Sequence, residues 1–535
     1  MQDRVQCYFG QVQRVLFLAA ATVFTLVVLL YIPTLRGGFV YDSIAQVLYS
    51  DYIHTPSHWG DVLTLRVVAQ DELDRNRPLH LASLMLDAAI WGKDPFGYRL
   101  SSVLLHALNA ALLFVFIALA LRPVTAVAAN GDAADFVAAA SPPPAVLLTA
   151  AFGALVFAFH PLVIEAVAEP SNREDLLVLF PMLVGLLFIA AEQNHSRWTR
   201  NVVLVLASFF AVVAKESGVA VPFVFAVACW SGGSFRRFLP GLVGGVIAAG
   251  AFLAASYVWR PQQSGIFING PAPLAEEWWS SLVIQMRIWT LQLQQIVWPS
   301  NLSAHYSPEV LAGVSPPIVF AVLVLAGAAA VFLARGSRLG ALGVAVFALA
   351  LLPASNFVAQ FHPIADRYLY VPLAGVGMIV AAAAARLRSQ FSSARAGAVL
   401  LAAGVVVLSL EYTANLPRQK AWQTPAALWT DVLRQYPQLA QAHIGMANAH
   451  YRTGDFEAAL VSAREAVRTS SGQWAEPYAV RAVCEWQTGR GKDAAASFQS
   501  AQRLSRAYES EESMKAAMFL SPEQLAVLRQ ILAAQ

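Results

Sequence analysis

Eleven apolar runs limit what this chain can fold into more than any motif does. They lie near 14–32, 99–121, 145–160, 176–191, 201–214, 217–231, 239–257, 313–334, 339–353, 367–385 and 396–410. Several are shorter than the ~20 residues that cross a bilayer upright, yet their number predicts about eleven spans. Of the 535 residues, 57% are hydrophobic and 13% charged, and the mean hydropathy is +0.54, far from the mix of a soluble globular chain. A net charge of +3, spread between loops, gives no sign of nucleic-acid binding. Cys7, Cys229 and Cys484 lie too far apart in this layout to form a disulfide framework. The first run lacks a small-residue cleavage site and reads as a retained helix.

The stretch from Phe159 to Asp175, FHPLVIEAVAEPSNRED, is a polar bridge between two of these runs, with four carboxylates, one Arg and one His. Ionisable groups at a membrane boundary are costly unless paired, hydrated or metal-bound, so their clustering marks a site. A further acid, Asp42, follows the first run in Gly37-Gly38-Phe39-Val40-Tyr41-Asp42-Ser43. Acids at the mouths of two spans can converge on one divalent cation.

Basic residues set the expected orientation. Arg4 and Arg14 precede the first run; Arg197/Arg200, Arg236/Arg237, Arg335/Arg338 and Arg386/Arg388/Arg395 occupy every second loop after it. This pattern puts the N-terminus in the cytoplasm, provided that Lys215-Glu216 turns outward and divides 201–231 into two short spans. The Asp42 loop, the bridge, Lys215-Glu216, 258–312 and 354–366 then share the outer face with the C-terminal tail.

Composition changes after Leu410, and the domain boundary is expected at 412/413. Within 413–535, Ala442–Ala459 with Ala466 matches a tetratricopeptide repeat. Gly454, Ala459 and Ala466 recur as Gly489, Ala494 and Ala501, an offset of 35 against a family period of about 34. Small residues at those positions let paired helices approach and stack into a concave groove. Residues 122–144 read as a flexible cytoplasmic loop, and 258–312 as an outer loop whose Trp259, Trp278, Trp279, Trp289 and Trp298 suit an interfacial belt.

Several segments together resemble one family, the transmembrane and tetratricopeptide repeat O-mannosyltransferases. They are Gly37–Asp42, Asn76-Arg77-Pro78-Leu79, Asp94–Arg99 leading to Leu104–Asn109, His160-Pro161 with Glu165–Val167 and Arg173–Leu177, Ala214–Gly218, and Asp366–Pro372. Each is weak alone; their order, ending in the repeats, carries the match. The resemblance implies an all-α polytopic bundle of the GT-C glycosyltransferase type (1–412), followed by an extracytoplasmic repeat solenoid (413–535). It also implies transfer, with inversion, of a mannose-like hexose from a polyprenyl-phosphate donor to an acceptor hydroxyl, such as a Ser or Thr of exported proteins.

An acceptor hydroxyl, with a pKa of ~15, needs a base or a metal to become nucleophilic, and the departing phosphate needs positive charge. Asp42 matches the family's first-loop acid and Glu165 its second-loop acid, so these two are the expected catalytic residues. Ser43 stands where the family often has another acid, which departs from a two-acid site. Arg77, Arg173, Lys215 and Arg367 are the expected donor-phosphate ligands. Mg or Mn held by Asp42, Glu165 and Asp175 is the cofactor considered. The repeats around Ala442–Ala466 and Gly489–Ala501 are the expected acceptor-binding surface. Blander roles compete with these: Glu165 as a helix N-terminal charge, Arg173 paired with Asp175, Lys215 with Glu216, and His106 and His160 as packing or capping residues.

Two other functions fit the same layout: an oligosaccharyl ligase or polymerase acting on lipid-linked glycans, and an envelope scaffold that docks through its repeats. Acids in the first two outer loops favour the transferase. Alanine-rich composition and small loops look bacterial, which makes the outer face periplasmic.

Overall fold

The computed structural model describes residues 2–122, 143–191, 196–259, 277–312, 314–357, 360–390, 394–514 and 520–535. The loop expected at 122–144 and the first part of 258–312 lie almost wholly outside these residues. Among the described residues the regular structure is helical throughout. Helices of ten residues or more are numbered in chain order: α1 Gln2–Tyr31, α2 Pro78–Trp91, α3 Pro95–Ala120, α4 Pro144–Phe159, α5 Glu174–Ala190, α6 Arg197–Ala214, α7 Val221–Ser231, α8 Phe235–Val258, α9 Trp278–Val297, α10 Pro316–Gly336, α11 Arg338–Leu351, α12 Tyr370–Gln390, α13 Ala394–Ala421, α14 Pro425–Gln435, α15 Ala440–Arg452, α16 Phe456–Thr469, α17 Ala475–Gln487, α18 Gly491–Leu504 and α19 Pro522–Ala533.

Each of the eleven apolar runs falls in one of these helices. Six are long and apolar enough to cross a membrane, and a seventh crossing arises if α4 and the short helix after it, bent by 51°, form one span. The chain is a multi-pass membrane protein. Local chemistry sets where the helices start. Asp94 accepts the Phe96 N–H ahead of Pro95 in the first turn of α3, and Ser196, Thr424 and Asp455 cap α6, α14 and α16 in the same way. The break expected at Lys215-Glu216 is present. α6 ends at Ala214, and the chain folds back so tightly that a Cβ on Gly218 would lie 2.2 Å from the Ala211 carbonyl.

The boundary expected at 412/413 falls inside α13, and the reason is physical. Polar residues past Leu410 are not a solvated linker: Asn415 and Gln419 are buried and take up helix-end carbonyls. Asn415 donates to Phe159 O at 3.1 Å and Gln419 to Leu30 O at 3.0 Å, groups left without intrahelical partners where α4 and α1 end. Trp422, Leu428, Trp429, Val432 and Ala442 belong to the same core as the membrane helices; a second core starts at Ile444. The start of the tail therefore sits at the same end of the bundle as the Asp42 loop.

Beyond it, α15 pairs with α16 and α17 with α18. Gly454 (φ 79°) and Gly489 (φ 77°) occupy equivalent left-handed turns between the two helices of each pair, and Ala459, Ala466, Ala494 and Ala501 are fully buried where the helices meet.

Candidate functional site

After α1 the chain passes Pro33 in a short 3-10 turn and reaches Gly37-Gly38. This pair lies against Arg99, at the start of α3. A Cβ on Gly37 would sit 2.5 Å from the Arg99 guanidinium carbon, so only glycine fits. Buried Arg99 donates to Gly38 O at 2.6 Å, Thr34 O at 3.2 Å and Trp422 O at 2.7 Å. The Gly38 N–H donates to Gln423 O at 2.9 Å. The loop so clasped presents Tyr41 in a left-handed conformation, φ 44°, a strained state that persists only where its surroundings impose it.

Asp42 comes next. Its carboxylate is half-buried and makes no hydrogen bond or ion pair among the described residues. Burial pushes it up to about 6; Arg367 pulls it down, while Glu165 and Glu174 push it further up. Ser43 has a structural job. Its Oγ donates to Val40 O at 2.7 Å and its N–H donates to Glu169 Oε1 at 2.7 Å.

The polar bridge meets this loop. His160 caps the turn after α4, accepting the Leu162 N–H at 3.3 Å, and its Nε2 lies 3.0 Å from Ile296 O. His106 bridges Tyr370 and Ala158 O inside the bundle. Both take the blander role. Glu165, on the short helix Ile164–Ala168, is buried and pairs with the Arg367 guanidinium while accepting the Arg367 N–H at 3.2 Å. Glu169 was not singled out from the sequence. Nothing in its spacing marks it, but it holds the Asp42 loop through Ser43 and also accepts from Ser171 at 2.7 Å.

Glu174 and Asp175 open α5 and meet two cations. Lys215 Nζ lies 2.6 Å from Asp175 and 3.5 Å from Glu174. Arg77 reaches Glu174 at 3.3 Å, Asp74 at 3.0 Å and Glu216 at 3.2 Å. The pairs considered from the sequence, Arg173 with Asp175 and Lys215 with Glu216, are thus replaced by pairings across loops. The Tyr368 ring links the two halves, with Arg367 at 5.4 Å and Lys215 at 5.6 Å from its centroid. Asp42, Glu165, Asp175, Arg77, Lys215 and Arg367 therefore converge on one end of the bundle.

Arg173 does not join them. It is buried beside Asp87 of α2, 2.5 Å away, and donates to Ser102 Oγ at 2.9 Å and Tyr98 O at 2.6 Å. Those contacts use its donors to fasten α2, α3 and α5. Arg173→Gln should lower stability by about 3–5 kcal/mol, because it strands a buried carboxylate. Thermal unfolding in detergent checks this; unchanged stability with weakened donor binding would return Arg173 to the phosphate ligands.

The three acids considered as metal ligands do not build a cage. Glu165 is committed to Arg367 and Asp175 to Lys215. Among the described residues no group of three or more His, Cys, Asp or Glu is arranged to hold a metal ion. The sequence also gave no signal for His305, whose Nδ1 lies 3.3 Å from the Tyr41 hydroxyl; burial lowers its pKa to about 4, so it is neutral near pH 7.

No family model matches this chain. It is 22% identical, over 78% of its length, to a protein O-mannosyl-transferase of Caenorhabditis elegans, and covers 57% of that protein. It is 27% identical over 36% of its length to the protein O-mannosyl-transferase Tmtc1 of Drosophila melanogaster, covering 20% of it. The chain thus spans about half the length of the first of these curated relatives, and less of the second. A crystal structure of ArnT from Cupriavidus metallidurans bound to undecaprenyl phosphate aligns over 90% of this chain and 79% of its own, at 14% identity. Its TM-score is 0.36. Fold and site define a helical multi-pass membrane protein with a buried ionic cluster at one end. Its sequence similarity is to the protein O-mannosyl-transferases, as the ordered motifs lead one to expect.

Proposed function

We propose that this protein is a GT-C glycosyltransferase that moves a mannose-like hexose from a polyprenyl phosphate to an acceptor hydroxyl, a Ser or Thr of exported proteins. One observation carries the reading most: Asp42 follows the strained Tyr41, feels the Arg367 and Arg77 charges, and makes no hydrogen bond or ion pair among the described residues. In this scheme Asp42 takes the hydroxyl proton as the acceptor oxygen attacks the anomeric carbon. The bond from that carbon to the phosphate oxygen breaks with inversion, and the phosphate leaves with the electron pair. Arg367, Lys215 and Arg77 meet the phosphate charge, and Glu165 aims Arg367. No step uses a metal.

The topology that fits is eleven crossings with a cytoplasmic N-terminus. Asp42 and the C-terminal helices then share the outer face, periplasmic in a bacterium. The paired helices α15–α18 act as tetratricopeptide repeats that hold the acceptor near the site, raising its effective concentration.

The test is transfer by purified protein from polyprenyl-phosphate mannose, compared with nucleotide mannose, to a Ser/Thr peptide, with and without a chelator. The lipid donor alone should work, at the same rate under chelation. Transfer from the nucleotide sugar would overturn the donor assignment. Loss under chelation, restored by Mg or Mn, would overturn the metal-free base.

A further inference from the structure

The turn that carries Arg367 is gripped from two directions. On one side Glu165 takes the Arg367 guanidinium and backbone N–H. On the other, Arg418, near the end of α13, reaches the preceding residue, with Nη2 3.1 Å from Asp366 Oδ2. Its Nη1 lies 3.1 Å from Asp431 Oδ2 on α14 and donates at 2.9 Å to Leu302 O. Gln435, also on α14, donates to the same Leu302 carbonyl at 2.9 Å. The second Asp366 oxygen accepts from the Tyr306 hydroxyl at 2.5 Å. Tyr306 in turn accepts from Gln295 of α9 at 2.8 Å and from the Ser303 N–H at 3.2 Å. Arg418, Asp366 and Tyr306 are buried.

A planar guanidinium, whose donors point in fixed and divergent directions, can hold two carboxylates and a carbonyl in one geometry; an ammonium, a point charge with three rotatable donors, fixes them less rigidly. We infer that Arg418 is a positioning residue for the donor site. It locks the Asp366–Leu369 turn to α14, so that Arg367 faces the place where the lipid phosphate arrives. The first helix after the membrane bundle is therefore part of the donor site, not an appended arm. This inference rests on the transferase reading above. Arg418 acts only through Asp366 and Arg367. Without its charge, Asp366 and Asp431 lose the cation they share and repel each other, and the turn can shift. A displacement of 1 Å at a positioned group can cost ~10²-fold in rate.

The experiment is steady-state transfer by full-length Arg418→Gln and Arg418→Lys, with polyprenyl-phosphate mannose and a short soluble peptide varied separately. Arg418→Gln should raise the donor KM by about 10- to 100-fold and leave the peptide KM unchanged; Arg418→Lys, which keeps the charge but not the fork, should fall between. A purely structural role would reduce the amount of active enzyme, seen as a lower kcat at the wild-type donor KM, and that result overturns the inference. So does wild-type behaviour of Arg418→Gln. Asp431→Asn loosens only the α14 end of the fork, so it serves where Arg418→Gln does not fold. It should give a smaller rise in donor KM, and an unchanged donor KM there also overturns the inference. If the wild type transfers from no polyprenyl-phosphate donor, the transferase reading itself fails and takes the inference with it.

Discussion

Asp42→Asn loses transfer by about 10²- to 10⁴-fold, the range that a positioned general base contributes. The protein remains folded, because the substitution keeps the shape of the side chain and breaks no contact among the described residues. A base must be deprotonated to act. With Asp42 raised to about 6 by burial, the rate should be full above that pH and fall tenfold per unit below it. The pH profile of kcat/KM for the short peptide checks this. A flat profile from pH 5 to 8, or a variant as active as the wild type, would remove Asp42 from the chemistry.

Where the chain is cut decides what a truncation loses. Deleting 455–535 leaves α14 and α15 in place. It should spare transfer to a short peptide while lowering transfer to whole proteins on the order of 10²-fold at low acceptor concentration, the gain from a tethered second contact. Deleting 421–535 should abolish both. It removes Trp422, whose carbonyl holds Arg99, together with Gln423, whose carbonyl holds Gly38, and the Trp429 ring 5.7 Å from Tyr41. Equal losses from the two deletions would show that the paired helices belong to the catalytic unit.

The helices were legible because each apolar run is long enough to declare itself. The break at Lys215-Glu216 was legible because two charges cannot sit mid-helix in lipid without a reason. The 35-residue offset became equivalent glycine turns in two helix pairs. Other features were hidden. α2 mixes buried His80 and Asp87 with its apolar residues, so no clean run marks it. α13 passes through the compositional boundary because Asn415 and Gln419 are polar yet buried, serving carbonyls far away in sequence. At the site, the residue types and the loops could be read, and three of the four expected cations converge. The pairings could not be read. Whether Arg173 faces Asp175 or Asp87, or Lys215 faces Glu216 or Asp175, depends on which loops meet, and no local spacing encodes that. Glu169 and Arg418 escaped for the same reason, since each works on a partner brought near only by tertiary packing.

Two features of the scheme meet in a single product: a hydroxyl activated by one acid, and direct displacement of a lipid phosphate. The most direct measurement is therefore the anomeric configuration, by NMR, of the glycopeptide made by wild-type protein from a polyprenyl-phosphate mannose of defined anomer. The expected product is a Ser- or Thr-linked sugar of inverted configuration, with one polyprenyl phosphate released per sugar transferred. Retained configuration would contradict a single in-line displacement by a hydroxyl that Asp42 activates; release of free sugar with no glycopeptide would contradict the transferase itself.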